Sequence, residues 1–238
     1  MMISIYKEKN RNNIGSQSEI PILKKNNNFL IIDGYQNFKI SSSNIIYFSK
    51  IGKYDIIKNL LVKYSKKCNS IIDIGCSNGL VSFLANNNNY NVYALDHDIE
   101  CINVILKIIN ELSLKNIKVN NYSFGLPIQF KGDIVIMLAL IHWIFSCTSL
   151  YGNFDDIFKY IYPYINKYLW IEWITPNDNA IKQFNHINFN KKIHTVEYSK
   201  DNFEKSIVKN IGTIKEKIEI EGPTRILYII KKKHYNNI

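Results

Sequence analysis

The sequence lacks several patterns that would assign it to a well-defined class. Its four cysteines lie far apart and form no Cys-x-x-Cys pair, which argues against a zinc knuckle or a disulfide framework. No apolar run is long enough to cross a bilayer. The first residues are polar and lack the apolar core of a signal peptide. We therefore expect a cytoplasmic protein with buried thiols and no membrane partner.

Arginine is also scarce, although the chain carries a formal net charge of +10. Of the 30 basic residues only Arg11 and Arg225 are arginines, and the lysines are scattered. A basic balance can indicate an anionic partner, but Lys, Asn and Ile are all abundant here, as biased codon usage would produce. Nucleic acid is therefore the less favoured partner, and the sequence does not indicate an oligomeric state.

The composition is that of a globular protein, with 46% hydrophobic and 21% charged residues among 238. This length suits one α/β domain, which we place at residues 51–238, after an N-terminal extension or cap at 1–50 with two strand-like runs. Strand-like and helical segments alternate along the main domain. The strands are predicted at 70–74, 91–95, 117–122, 133–138 and 168–174, and the helices at 54–65, 80–86, 99–112, 154–165 and 200–210.

This alternation predicts an α/β fold with a Rossmann-like, mostly parallel seven-stranded sheet and helices on both faces. Residues 213–220 and 225–231 predict a C-terminal antiparallel hairpin. In the helix at 99–112 we expect the buried face to carry Ile102, Ile105, Leu106 and Ile109. Ligands of such sheets bind at the carboxyl ends of the strands.

A glycine-containing loop follows the first strand of the main domain and runs from Asp73 to Gly79. Gly75 and Gly79 permit a tight turn and a close approach to a ligand. Ser77 stands where G-x-G-x-x-G has its middle glycine, and no Lys-Ser/Thr follows, so this is neither a dinucleotide fingerprint nor a P-loop. The next strand ends at Asp96, 17 residues beyond Gly79, where a carboxylate can accept both ribose hydroxyls.

The segments IIDIGCSNG (71–79) and VYALDHD (92–98) resemble the first two motifs of class I S-adenosylmethionine-dependent methyltransferases. The resemblance extends by element order over about residues 50–232 and implies S-adenosylmethionine as cofactor. It places the methionine part near the glycine loop, the ribose at the second strand end and the adenine near 121–123, where the usual acidic residue is missing. The implied cofactor-binding residues are Asp73, Gly75, Cys76, Ser77, Gly79, Asp96, His97, Asn121, Ser123 and Leu138.

The segment from Leu138 to Trp143 leaves the fourth strand, and in the resembled family this exit faces the transferring methyl group. It is also similar to a methyltransferase branch associated with nodulation-factor or other glycan modification, which implies a glycan or small-molecule acceptor. The matching segments are 139–142, 171–173, 176–178 and 224–228.

His142 is the candidate catalytic base, because an imidazole suits proton removal from a hydroxyl near neutral pH. The alternative is a core histidine bonded to a backbone carbonyl. Glu172, the second candidate catalytic residue, lies in a strand expected to be buried, so its carboxylate needs a partner or a function. It could orient His142, grip a substrate hydroxyl, bind a metal or form a structural ion pair.

Arg225 supports the ion-pair alternative, because a lysine-rich chain keeps an arginine where a planar fork is needed. We expect a bidentate pair with a buried carboxylate, Glu172 being the first choice. Aromatic residues are expected to cluster near the strand exits, namely Trp143, Phe145, Tyr151, Trp173 and Phe184. His186, His194 and Glu197 fit no trusted zinc spacing, and no metal site is predicted.

These features together predict an O-methyltransferase acting on a sugar, a glycan or another small polar acceptor. Two alternatives stay open at this point. An RNA methyltransferase would account for the basic charge, and a non-catalytic Rossmann-like subunit would bind the cofactor or only a partner.

Overall fold

The computed structural model describes residues 21–26, 28–47, 52–147, 151–188, 192 and 194–233. Much of the predicted N-terminal extension, residues 1–20, 27 and 48–50, lies outside the described residues. The chain divides into two compact units at the boundary between Phe124 and Gly125.

The first unit opens with a four-stranded antiparallel sheet in the order β1-β2-β3-β4. Its strands are β1 (Ile22–Asn26), β2 (Phe29–Asp33), β3 (Phe38–Ile40) and β4 (Ile45–Tyr47). Alternate side chains of a strand point to one face, and in β2 and β3 that face is buried by Leu30, Ile32, Phe38 and Ile40. The sequence predicts two strand-like runs in this region, and the structure has four strands there.

The rest of the first unit alternates helices and parallel strands. The elements are α1 (Lys53–Tyr64), β5 (Ser70–Ile74), α2 (Leu80–Asn87), β6 (Asn91–Asp96), α3 (Ile99–Leu112) and β7 (Ile117–Asn121). Strand β6 pairs in parallel with β5 and with β7. Ile71 and Ile72, which point to opposite faces of β5, are both fully buried. Both faces of this strand are therefore covered, as a parallel sheet requires.

The second unit continues the α/β pattern and ends in a hairpin. Its elements are β8 (Gly132–Met137), α4 (Ile141–Cys147), α5 (Phe154–Ile161), β9 (Ile165–Ile174), α6 (Asn179–Phe184), α7 (Lys200–Asn210), β10 (Gly212–Glu219) and β11 (Arg225–Lys232). Strands β8 and β9 are parallel, whereas β11 is antiparallel to both β9 and β10. Helix α5 ends before Pro163, which instead lies in a short 3₁₀ turn, because proline cannot supply the helical N–H.

The predicted fold class is confirmed. The structure is α/β, with a mostly parallel seven-stranded sheet formed by β5 to β11 and a C-terminal antiparallel hairpin. Among the described residues, every helix is too short or too polar to traverse a bilayer.

Candidate functional site

The loop between β5 and α2 has the tight conformation that its glycines predict. Gly75 and Gly79 have φ angles of 75° and 87°, in the left-handed region that favours glycine. A Cβ on Gly79 would lie only 2.9 Å from Cγ1 of Ile105, so a larger residue would also collide. Ser77 adopts a φ of 51° without being glycine, which is an energetically unfavourable conformation for a residue with a side chain.

Asp96, at the end of β6, ties this loop to the following one. Its carboxylate accepts hydrogen bonds from the N–H of Ser77 (2.8 Å) and of Asp98 (2.9 Å), and Nδ1 of His97 lies 3.2 Å away. Burial alone would raise the pKa of Asp96, but the hydrogen bonds from His97, Asp98 and Ser77 lower it below its ordinary value. The side chain therefore stays ionised at neutral pH. Three of its roughly four acceptor positions are filled by the chain, which leaves room for about one ligand hydroxyl.

The pKa of Asp73 is shifted in the opposite direction to that of Asp96. Asp73 is buried, and Oγ of Ser82 donates a hydrogen bond of 2.6 Å to its carboxylate. Burial raises the pKa of Asp73 to about 7, helped by the negative charge of Asp96 and opposed by the bond from Ser82. Near neutral pH this carboxyl group can therefore either hold a proton or pair with a cation.

The remaining cofactor candidates of the first unit lie in the glycine loop and at and after the end of β7. The side-chain amide of Asn121, at the end of β7, donates to the backbone oxygen of His97 at 3.0 Å. Ser123 is half-buried two residues further on. Cys76 is buried inside the glycine loop, and burial raises the pKa of its thiol well above the ordinary value, so it is not a reactive thiolate.

One contact of the loop has no signal in the sequence. The side-chain oxygen of Gln36, from the turn between β2 and β3, accepts the N–H of Leu80 at 3.0 Å. Its backbone oxygen accepts the side-chain amide of Asn78 at 3.1 Å. The N-terminal sheet therefore contacts the candidate cofactor loop directly.

In the second unit, Glu172 supports the exit of β8. Leu138 is the first residue after this strand, and Ala139 follows in a left-handed conformation with a φ of 47°. The N–H of Ala139 donates to Oε2 of Glu172 at 2.9 Å, and Glu172 is fully buried in β9. The candidate catalytic carboxylate thus holds the backbone of the segment that precedes His142.

The predicted fork partner of Arg225 was wrong. Its Nε and Nη2 atoms donate to the two carboxylate oxygens of Asp178, at 3.0 and 3.1 Å. Nη1 donates to Glu221 at 2.6 Å and lies 3.7 Å from Oε1 of Glu172. Asp178 takes the fork because Arg225 pairs with Ile174 at the end of β9, and the turn that follows this strand brings Asp178 beside it. Asp178 also caps α6 through the N–H of Ala180. Glu172 is a more distant ion-pair partner.

His142 lies in the first turn of α4 and is buried, with 2% of its surface exposed. Its ring centroid is 5.4 Å from that of Trp143 and 4.9 Å from that of His186. His186 in turn stacks on Trp143 at 3.9 Å, and burial lowers its pKa to about 4, so it is neutral at physiological pH. The two imidazoles and the indole therefore form one compact group.

The ring contacts bring the predicted aromatic residues together only in part. Trp143 pairs with Phe184. Phe145 and Trp173 both lie close to Phe154 and Tyr198, whereas Tyr151 contacts Tyr160. Most of these rings pack in the core, because strand β9 and helices α5 and α7 bury their apolar faces together.

The histidines that might have suggested a metal site are not assembled into one. Within the described ranges, no three His, Cys, Asp or Glu side chains are grouped so that they could hold a metal ion. Nε2 of His194 lies 2.8 Å from the backbone oxygen of Phe145, within hydrogen-bonding distance.

Comparison with known proteins supports the resemblance. Residues 47–146, under half of the chain, match the family model of tellurite resistance protein TehB. A search of curated proteins finds no significant match.

Many solved structures share the fold. A SAM-dependent methyltransferase from Aquifex aeolicus is 15% identical, with a TM-score of 0.54, over 74% of this chain and 89% of that one. Magnesium protoporphyrin IX methyltransferase from Synechocystis PCC 6803, with bound SAH, is 13% identical, with a TM-score of 0.57, over 76% and 84%. N-methyltransferase NodS from Bradyrhizobium japonicum WM9 is 9% identical, with a TM-score of 0.57, over 79% and 100%.

These neighbours agree with the cofactor predicted from the sequence, whereas their names indicate different acceptors. The resemblance predicted from the loop and strand-end motifs is confirmed at the level of the fold. The chain has the fold of the class I S-adenosylmethionine-dependent methyltransferases.

Proposed function

We propose that the protein is an S-adenosylmethionine-dependent methyltransferase that methylates a hydroxyl group of a sugar, a glycan or another small polar acceptor. The observation that carries this proposal is the pair of buried carboxylates, Asp73 and Asp96, flanking a loop whose glycines adopt left-handed conformations. When bound, the cofactor supplies a methyl group activated by a positively charged sulfur.

The donor set of the first unit fits this cofactor. Asp73, with its pKa near neutrality, is suited to pair with the ammonium group of the methionine part, because a nearby cation favours the ionised carboxylate. Asp96 stays ionised and keeps acceptor capacity for a ribose hydroxyl. Asn121 and Ser123 follow β7, where the adenine is expected. Gly75, Cys76, Ser77, Gly79 and His97 complete the set of the first unit, and Leu138 is the one candidate predicted in the second unit.

On the acceptor side, His142 would take the proton of the acceptor hydroxyl, since an imidazole is the side chain best suited to proton removal near neutral pH. Transfer of a methyl group by in-line displacement depends mainly on positioning. Glu172 serves that positioning, because its bond to the N–H of Ala139 holds a strained backbone in place. Trp143 and His186 surround His142 with rings and keep water away from it.

The proposal is tested with S-adenosylmethionine carrying a radiolabelled methyl group, incubated with the purified protein and fractionated extract of the source cells. We expect label in the sugar or glycan fraction. His142→Gln should lose the label while its melting temperature stays close to that of the wild type. Undiminished labelling by a folded His142→Gln variant would overturn the base assignment and favour a core histidine.

The same experiment separates the two alternatives. Label in the RNA fraction would overturn the proposed sugar or small-molecule acceptor. It would favour an RNA methyltransferase, for which the net charge of +10 would attract the substrate. No transfer to any fraction, together with no binding of S-adenosylhomocysteine, would overturn the methyltransferase assignment.

A further inference from the structure

The turn between β2 and β3 docks tightly onto the candidate cofactor loop. A Cβ placed on Gly34 would lie 2.6 Å from the side-chain nitrogen of Asn78, so this turn admits no larger residue without movement. The N–H of Gly34 donates to the side chain of Asn37 at 2.8 Å, which fixes the shape of the turn. Gln36 and Asn78, the two residues that meet, are 8% and 1% exposed.

Gln36 provides the N-terminal cap that the residue preceding helix α2 cannot provide. The residue before this helix is Gly79, which has no side chain to bond the first helical N–H groups. The side-chain oxygen of Gln36 takes the N–H of Leu80 instead, from 44 positions earlier in the chain. A buried N–H without a partner is costly, so this contact stabilises the junction between the loop and the helix.

The loop is held from a second direction through Asn78. The side-chain amide of Asn78 donates to the backbone oxygen of Gln36. Its side-chain oxygen accepts from the thiol of Cys101, in α3, at 3.4 Å. Asn78 is thus held between the N-terminal sheet and helix α3.

These restraints act on a loop with an unusual backbone conformation. Gly75, Ser77 and Gly79 all have positive φ angles within five consecutive residues. A free loop would populate this combination only part of the time, because each residue also has access to other conformations. When only a fraction of the molecules is competent to bind, the apparent dissociation constant rises in inverse proportion to that fraction.

We propose that Gln36 is a positioning residue for the cofactor site, through which the N-terminal sheet holds the loop from Gly75 to Gly79 in its binding conformation. The identity of the ligand rests on the proposed function. The restraint itself is a property of the free protein. The antiparallel sheet is therefore part of the cofactor-binding apparatus and not only an extension of the fold.

The test compares three variants of the full chain. Gln36→Met keeps the size of the side chain but removes the acceptor, whereas Gln36→Glu keeps an acceptor for the N–H of Leu80. Tyr35→Ala is the matched control, because Tyr35 lies in the same turn with 64% of its surface exposed. S-adenosylhomocysteine binding is measured by titration calorimetry, and hydrogen exchange of the peptide covering residues 76–84 is measured without ligand.

We expect Gln36→Met to weaken binding about tenfold and to accelerate exchange in the peptide. Gln36→Glu should restore most of the affinity, and Tyr35→Ala should change neither quantity. Wild-type affinity and wild-type exchange in Gln36→Met would overturn the inference. If the wild type binds no S-adenosylhomocysteine, the proposed function fails, and exchange in the free protein still decides whether Gln36 restrains the loop.

Discussion

Replacement of Gly79 by alanine tests the geometry of the cofactor loop most directly. The φ of 87° at this position is unfavourable for any residue with a Cβ, which costs about 1 kcal/mol. The new methyl group would also lie 2.9 Å from Ile105 and 3.0 Å from Phe83, and overpacking of this kind costs about 1–3 kcal/mol. We therefore expect Gly79→Ala to lower the free energy of unfolding by about 2–4 kcal/mol.

Gly52 offers a matched control in the same unit. It also precedes a helix, α1, with a positive φ of 52°, but no atom lies within 4 Å of a Cβ built there. Gly52→Ala should therefore show only the backbone cost, about 1 kcal/mol. Both variants are measured by urea denaturation followed by far-ultraviolet circular dichroism. Equal destabilisation by the two substitutions would refute the close packing between the loop and α3.

Three further substitutions probe the strained and charged positions. Ser77→Gly should raise stability by about 0.5–1 kcal/mol, because glycine tolerates the φ of 51°; a lower melting temperature would contradict this. The contribution of Asp73 to stability should fall as the pH rises from about 4 to about 7, because the folded state raises its pKa to about 7 and favours its neutral form. His186, whose pKa burial lowers to about 4, acts in the opposite direction over this range, so the effect of Asp73 is measured as the stability difference between wild type and Asp73→Asn. That difference should fall as the pH rises, and a constant difference would count against it. The bonds from Arg225 and Thr224 overcome the effect of burial and lower the pKa of Asp178 to about 2, so its contribution is present above pH 4 and lost as the pH falls through 2. Asp178→Asn should lower the free energy of unfolding by about 3 kcal/mol at pH 7 and by much less at pH 2. An equal loss at both pH values would exclude an ionic role for Asp178.

Element type was predictable here because local patterns determine it. The bounds of β5, α3 and α7 match the predictions, since β-rich runs and helical periodicity are properties of the segments themselves. The buried face of α3 was predicted only in part. Leu106 is 42% exposed, whereas Val104 and Ile108 are buried. A helix that is apolar nearly all round does not reveal which face meets the sheet.

The contacts of the site were harder to predict, because they join residues distant in sequence. The need for a fork at Arg225 could be inferred from composition, but three carboxylates lie within reach of it and only the fold selects Asp178. Gln36 gave no signal at all, because glutamine in a turn is ordinary. The sequence predicted only a strand exit where helix α4 lies, because a short apolar run does not distinguish a strand from a helix.

The bond between Ala139 and Glu172 has a consequence for how the protein can vary. Its donor is a backbone N–H, so every residue type except proline can supply it at position 139, and the limit there is the left-handed backbone. Its acceptor is a side chain, so position 172 is limited by chemistry instead. Substitutions at the two ends of one hydrogen bond should therefore follow different rules, with glycine and asparagine tolerated at 139 and only glutamate or glutamine at 172.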